Sequence, residues 1–249
     1  MSRSLLAIVV GALRMWQNRT MSESVPVTAR ARARAEITRE IKAAGRRHLA
    51  EHGASALSLR AVSRELGMAS SALYRYFPSR DALLTSLIVD AFDSVGEVAE
   101  SADESVFESG PGERWKVVGR AVRKWALDNP HEYALVYGSP VPGYVAPTDT
   151  VEPATRITSV LTRILEAAGD ERSETAAILE PPSLVAAELA LVAPEVEPAM
   201  MAVGMGVWAQ LFGLISLELF GHLDNVVVDR DLFFDHQLNI ALGQLGLTA

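Results

Sequence analysis

The chain has 249 residues with 49% apolar and 22% charged side chains, a globular composition long enough for one large or two modest domains. It contains no cysteine, which excludes a disulfide framework, a thiolate zinc site and a cysteine nucleophile. The net charge of −8 argues against a nucleic-acid partner until its distribution is read.

Residues 21–80 hold 11 Lys and Arg against 5 Asp and Glu, whereas residues 81–249 hold 9 against 26. A basic module ahead of an acidic one is the footprint of a chain in which only the first part touches nucleic acid. Solvated acidic surface accounts for the second part equally well.

Residues 1–27 read as an extension that is either disordered or not part of the natural translation product. Leu5–Leu13 resembles the apolar core of a secretory leader, yet Arg14, Trp16 and Arg19 follow where small residues would mark a cleavage site. Met21 is the expected natural start. Arg30, Arg32 and Arg34 alternate with alanine, either as an arm reaching phosphates or a minor groove or as a frayed helix start. A helix is expected from Ala35 to His52, closed by Gly53. Gly45 within it implies close packing, because glycine there costs about 1 kcal/mol relative to Ala. Arg39, Lys42, Arg46 and Arg47 would add non-specific attraction.

Leu59, Val62 and Leu66 recur on one face of a short helix, Gly67 breaks it, and a second short helix is expected over Ser70–Phe77. Two helices joined by a short glycine-containing turn form a helix-turn-helix. Leu73 and Phe77 face inward, which leaves Ser70, Ser71, Tyr74, Arg75 and Tyr76 outward with no acid among them, a surface suited to phosphates and base edges. Ser70, Ser71 and Arg75 are the expected readers of base edges, and Ala72 would meet a thymine methyl. Tyr74, Tyr76, Arg60 and Arg80 would hold phosphates.

Gly53, Leu59-Arg60, Leu66-Gly67 and the run Leu73-Tyr74-x-Tyr76-Phe77-x-x-Arg80-x-x-Leu83 resemble the DNA-binding domain of the TetR/AcrR family of transcriptional regulators, over residues 35–85. Ala69 stands where that family usually has a capping Ser or Thr, Ser63 where Ala is usual, and Arg80 where Lys is commoner.

Beyond Ser79 a helix is expected to about Glu100, then a linker over Ser101–Gly112, a helix over Glu113–Leu127, a restart at Asn129-Pro130 and a short helix His131–Tyr137. The Gly138–Gly143 stretch and Pro147 form a loop. Helices follow over Pro153–Ala168, in pieces such as Ser183–Val192, over Ala199–Gly221 and over Asp231–Leu245. The chain therefore reads as all-α: an N-terminal three-helix helix-turn-helix DNA-binding domain at 28–80, then a helical ligand-binding and dimerisation domain at 81–249. No uninterrupted apolar run reaches the roughly 18 residues of a membrane span. Ala199–Gly221 is apolar nearly all round, so it needs cover on every side. Packing of the last two helices against those of a second copy would supply it.

Trp125-Ala-x-x-Asn-Pro-His-x-Tyr133, Gly138-Ser-Pro-Val-Pro-Gly-Tyr144 and Trp208-x-x-x-Phe212-Gly213 resemble the C-terminal domain of one TetR branch, named for a Trp-His-Gly motif. Phe212 stands where that motif has its His, so a polar role there is absent. The resemblance implies a cytoplasmic, homodimeric regulator, most often a repressor, that binds a double-stranded DNA operator and a small-molecule effector, with no cofactor or metal and no membrane. Trp125, Tyr133, Tyr137, Met205, Trp208 and Phe212 are the candidate pocket walls, since aromatic and Met side chains line apolar sites. Taken singly, each reads first as ordinary core.

Enzyme chemistry has little to rest on. His48 and His52 share a helix face, but no metal-protease spacing, phosphate loop, nucleophile elbow or dinucleotide fingerprint is present. A helical-bundle enzyme, or a membrane or protein-interaction module reusing a helix-turn-helix, remains the alternative.

Overall fold

The computed structural model describes residues 28–168, 196 and 198–247. The expectations for Leu5–Leu13, for a start at Met21 and for a helix over Ser183–Val192 lie outside the described residues. Among those described there is no strand. The helices are α1 (Ala29–His52), α2 (Leu59–Glu65), α3 (Ser70–Leu73), α4 (Arg80–Ser105), α5 (Pro111–Asp128), α6 (Pro130–Tyr137), α7 (Val151–Ala168), α8 (Pro198–Leu219) and α9 (Arg230–Leu245). They form two compact units. One holds the described residues up to Phe92 together with His131–Thr150; the other holds Asp93–Pro130 and the described residues from Val151 onward. The sequence reading divides the chain at residue 80 and counts 131–150 with the body, whereas by packing the first unit extends to Phe92 and includes His131–Thr150.

The core of the first unit is Ile41, Ala44 and Leu49 of α1, Leu59 and Val62 of α2, Leu73 and Phe77 around α3, and Leu83, Leu84, Leu87 and Ile88 of α4, all buried. The spacings are helical, so each helix turns one stripe inward, and burying each large side chain contributes about 1.5–3 kcal/mol. Leu135, Val136, Val141 and Tyr144 pack on the same core, and the Tyr144 hydroxyl bonds Thr85 Oγ1 at 2.9 Å, which explains why 131–150 joins this unit. Gly45 packs closely, as its sequence position suggests: a Cβ there would sit 3.2 Å from Leu87 Cδ1.

α1 begins at Ala29, not Ala35. Thr28 Oγ1 accepts from the Ala31 amide at 3.2 Å, so the arginine-alanine stretch is the first turns of a capped helix. α2 ends in a Schellman turn, with the Met68 amide on the Ser63 carbonyl and the Gly67 amide on Arg64. The turn needs a left-handed residue, and Gly67 supplies it at φ +63. α3 is shorter than the expected Ser70–Phe77: after Leu73 the amides of Arg75 and Tyr76 bond three residues back, to Ala72 and Leu73. This tightening seats Phe77 in the core before Pro78 ends the segment.

In the second unit α4 continues to Ser105, through part of the expected linker. Asp103 is the reason: it is 2% exposed and receives Arg114 Nε and Nη2 at 2.7 and 2.9 Å, with Phe107 against the guanidinium. α5 buries Trp115, Val118, Val122 and Trp125, α7 buries Ile157, Val160, Leu161, Ile164 and Leu165, and both α8 and α9 pack on α5 and on each other. Met200–Leu219 is long and apolar enough to cross a membrane, at mean hydropathy 1.7. It nevertheless carries Glu218, which is buried and held by Arg123 Nη1-bearing guanidinium through Nε and Nη2 at 2.7 Å each.

Candidate nucleic-acid interface

Acidic partners sort the cations of the first unit. Arg39 pairs with Glu36 at 2.8 Å, Lys42 with Asp90 at 2.7 Å, Arg46 with Asp90 and Glu132 at 2.6 and 2.8 Å, and Arg47 with Glu65 at 2.7 Å. The four α1 cations expected to add non-specific attraction are each paired with an acid within the unit. Arg30, Arg32, Arg60, Arg64 and Arg75 are exposed and have no side-chain partner among the described residues.

Arg60 and Arg64 lie four apart on α2, hence on one face. Ser71, Tyr74 and Arg75 are exposed beside the end of α3, with Tyr74 at 46%, and Ala72 is half-buried. Ser70 is exposed, but its hydroxyl bonds Ser63 Oγ at 3.0 Å across the turn, while Ser63 donates to the Arg60 carbonyl at 3.0 Å. Ala69 caps α3 without a side-chain bond, and Ser70 braces α3 against α2. Tyr76 is half-buried beneath Arg34, whose guanidinium carbon stands 4.9 Å from the ring centroid and whose Nη2 donates to the Arg75 carbonyl at 3.3 Å. A guanidinium over a ring is a cation–π contact, and this one joins the first turns of α1 to the end of the reading segment.

Arg80 is placed otherwise than the sequence suggests. Its Nη2 donates to the carbonyls of Ala54 and Ser55 at 2.9 and 3.3 Å and its Nε to Leu57 at 3.2 Å, while Nη1 meets Asp81 at 3.2 Å. The group ties the loop ahead of α2 to the start of α4 and commits its donors within the unit. Sequence reasoning missed Arg64 as a member of this surface, and missed the bracing contacts that Ser63 and Arg34 make beneath and beside it. The spacing of Arg64 from Arg60 was a usable signal; the contacts of Ser63 and Arg34 cross 7 and 41 residues and left none.

The effector candidates divide between the units. Tyr133 and Tyr137 lie in the first, their ring centroids 5.2 Å apart, with Phe92 edge-on to Tyr137 at 6.0 Å. Burial, with Tyr133 beside it, pushes the Tyr137 phenol well above its ordinary range. Trp125, Met205, Trp208 and Phe212 lie in the second. Trp125 donates to Ser94 Oγ at 2.9 Å, and Met205 is 52% exposed. Trp208 and Phe212 have centroids 5.1 Å apart, and the Trp208 Nε1 is buried with no acceptor among the described residues. An orphaned buried donor invites an acceptor from outside the chain, a water or a ligand. His48 and His52 stack at 4.6 Å on α1; among the described residues no cluster of three or more His, Cys, Asp or Glu could hold a metal.

Known proteins are similar to this chain in sequence and fold. Residues 41–87 match the family model of bacterial regulatory proteins of the tetR family, and residues 115–240 match that of the tetracyclin repressor-like C-terminal domain, which spans Trp125, Tyr144 and Trp208. HTH-type transcriptional regulators of Mycobacterium bovis and Mycobacterium tuberculosis are 37% identical to this chain over 234 residues, covering 90% of it and 99% of their own length. The crystal structure of the regulatory protein SCO4313 is 35% identical, with a TM-score of 0.71 over 87% of this chain and all of its own. A protein from Rhodococcus sp. RHA1, 24% identical, shares the fold at a TM-score of 0.60, covering 84% of this chain and 93% of its own. With both halves matched and relatives aligned over nearly their whole length, the chain belongs to the TetR family of bacterial regulatory proteins.

Proposed function

We propose that this DNA-binding regulator is a homodimeric, cytoplasmic repressor that holds a double-stranded operator through α2 and α3 and releases it when a small, partly apolar effector binds the body. The observation that carries the DNA surface is the sorting of the cations. Where the unit has acids nearby its basic groups are paired; on the α2–α3 face Arg60, Arg64 and Arg75 stand unpaired, free to replace counterions on phosphates. Arg75 is the reader of sequence, since a guanidinium can bond guanine bidentately. Ser71 and Ala72 face the same groove, and Tyr74 and Arg60 set the register through phosphates.

Dimerisation through α8 and α9 is supported by the apolar side chains they leave exposed: Met205 and Leu217 on α8, Leu232 and Ile240 on α9. That a helix as apolar as α8 packs on α5 and α9 and carries the buried Glu218–Arg123 pair supports a protein interface over a lipid one. The Trp208 Nε1 supports an effector that is flat and apolar with one hydrogen-bond acceptor. Release is then a shift of population, limited by how much better the effector binds the form that does not fit DNA.

The test is selection of duplexes from a random 30-base-pair library by the purified full chain, followed by titration at two salt concentrations. Enrichment of an inverted repeat with half-sites about one helical turn apart, still preferred at the higher salt, is the expected result. Recovery of unrelated duplexes whose binding collapses with salt would reduce the surface to counterion release and overturn the regulator reading.

A further inference from the structure

The inward stripe of α1 runs Ile41, Ile37, Arg34, Arg30, at spacings of four, three and four residues. Ile41 is buried in the core and Ile37 packs against it. One turn further Arg34 continues the stripe past the edge of the core and lands on Tyr76 and the Arg75 carbonyl, at the end of the reading segment. Arg30 is the next member, about 6 Å further along the axis, on the same side and exposed with no partner among the described residues. Arg32 lies about 200° round the helix from Arg34, on the opposite side. No acid lies between Thr28 and Arg34, and Glu36 is engaged by Arg39.

We propose that Arg30 is a second DNA contact, outside the helix-turn-helix, that binds a backbone phosphate flanking the bases read by Arg75, with Arg34 as the positioning residue that fixes the arm to the reading segment. The contact lies outside the segment that matches the family's DNA-binding model, residues 41–87. It rests on the DNA-binding reading above and assigns a different role to each of three arginines that the sequence makes look alike.

The three substitutions Arg30→Ala, Arg30→Lys and Arg32→Ala, made in the full chain, separate the roles. Each is titrated against the duplex selected by the wild-type protein and against a scrambled duplex, between 50 and 400 mM KCl. Each phosphate contact contributes about 0.9 to the slope of log K against log salt. A dimer bearing Arg30→Ala should therefore have a slope shallower by about 1.8 and bind up to roughly 60-fold more weakly at 0.1 M salt. The loss should be equal on selected and scrambled duplexes, because a phosphate carries no sequence. Arg30→Lys should keep the slope, and Arg32→Ala should match the wild type. Equal slopes for Arg30→Ala and Arg32→Ala, or an Arg30→Ala protein indistinguishable from wild type, would overturn the proposal while leaving the regulator reading intact. A wild-type protein that binds no duplex would overturn both.

Discussion

Replacing Arg80 with Gln distinguishes a phosphate ligand from a backbone tie. The guanidinium reaches the carbonyls of Ala54, Leu57 and Ser55 at 2.9, 3.2 and 3.3 Å, and the side chain is 30% exposed. A hydrogen bond to a charged group contributes about 1.5–3 kcal/mol. The three share one guanidinium and so do not add, the Ser55 contact is long, and partial exposure lowers each, which leaves about 2–3 kcal/mol for the set. In a unit of fewer than about 100 residues, 1 kcal/mol moves Tm by about 4–8 °C. The first unfolding transition of Arg80→Gln, followed by circular dichroism at 222 nm, should fall by about 10–20 °C. Its salt slope for DNA, measured below that transition, should equal that of the wild type. An unchanged melt with a slope shallower by about 0.9 per protomer would refute the assignment and return Arg80 to the phosphates.

Three other outcomes follow from the structure. Asp103→Asn strands the Arg114 guanidinium in a site where Asp103 and Arg114 are 2% and 4% exposed, so stability should drop by about 3–5 kcal/mol; joining it with Arg114→Met should recover most of the loss in urea unfolding, and a double variant as unstable as the single would mean that packing, not charge, is at stake. Arg75→Ala should relax preference at one base pair per half-site, by about 1–3 kcal/mol, whereas Tyr74→Ala should weaken every sequence alike; identical profiles over single-base duplex variants would refute this division. Burial holds the folded Tyr137 phenol above the 10.0 of an ordinary phenol, so the neutral ring favours the fold below pH 10 and stability declines as pH rises past that value, where the unfolded chain ionises first. Tyr137→Phe should flatten the decline of Tm between pH 9 and 11, and an unaltered slope would contradict the assignment.

The helix-turn-helix was legible because it is local. Leu59, Val62 and Leu66 set one face, Gly67 is the residue a left-handed turn requires, and Leu73 and Phe77 announce the inward side of the next segment. The length of α3 was not legible, since tightening after Leu73 depends on where the core accepts Phe77. Nor was the sorting of the cations: Arg47 finds its acid 18 residues on, and Lys42 48 residues on. Composition could count those charges but not pair them. The same holds for Asp103, which read as linker because its partner Arg114 lies beyond Pro111 and Gly112, and for Arg80, whose acceptors are backbone atoms that no side-chain pattern records.

The serine pair across the turn limits what the Ser70 hydroxyl can offer a partner outside the chain. Either hydroxyl can donate in the bond between them. With the Ser63 proton on the Arg60 carbonyl, Ser70 donates to Ser63 and keeps only lone pairs for an outside partner. Guanine presents only acceptors along its major-groove edge, N7 and O6, and thymine presents O4; adenine and cytosine present amino groups. In that arrangement Ser70 would accept from the amino group of an adenine or a cytosine, whereas a guanine or thymine would face oxygen with oxygen.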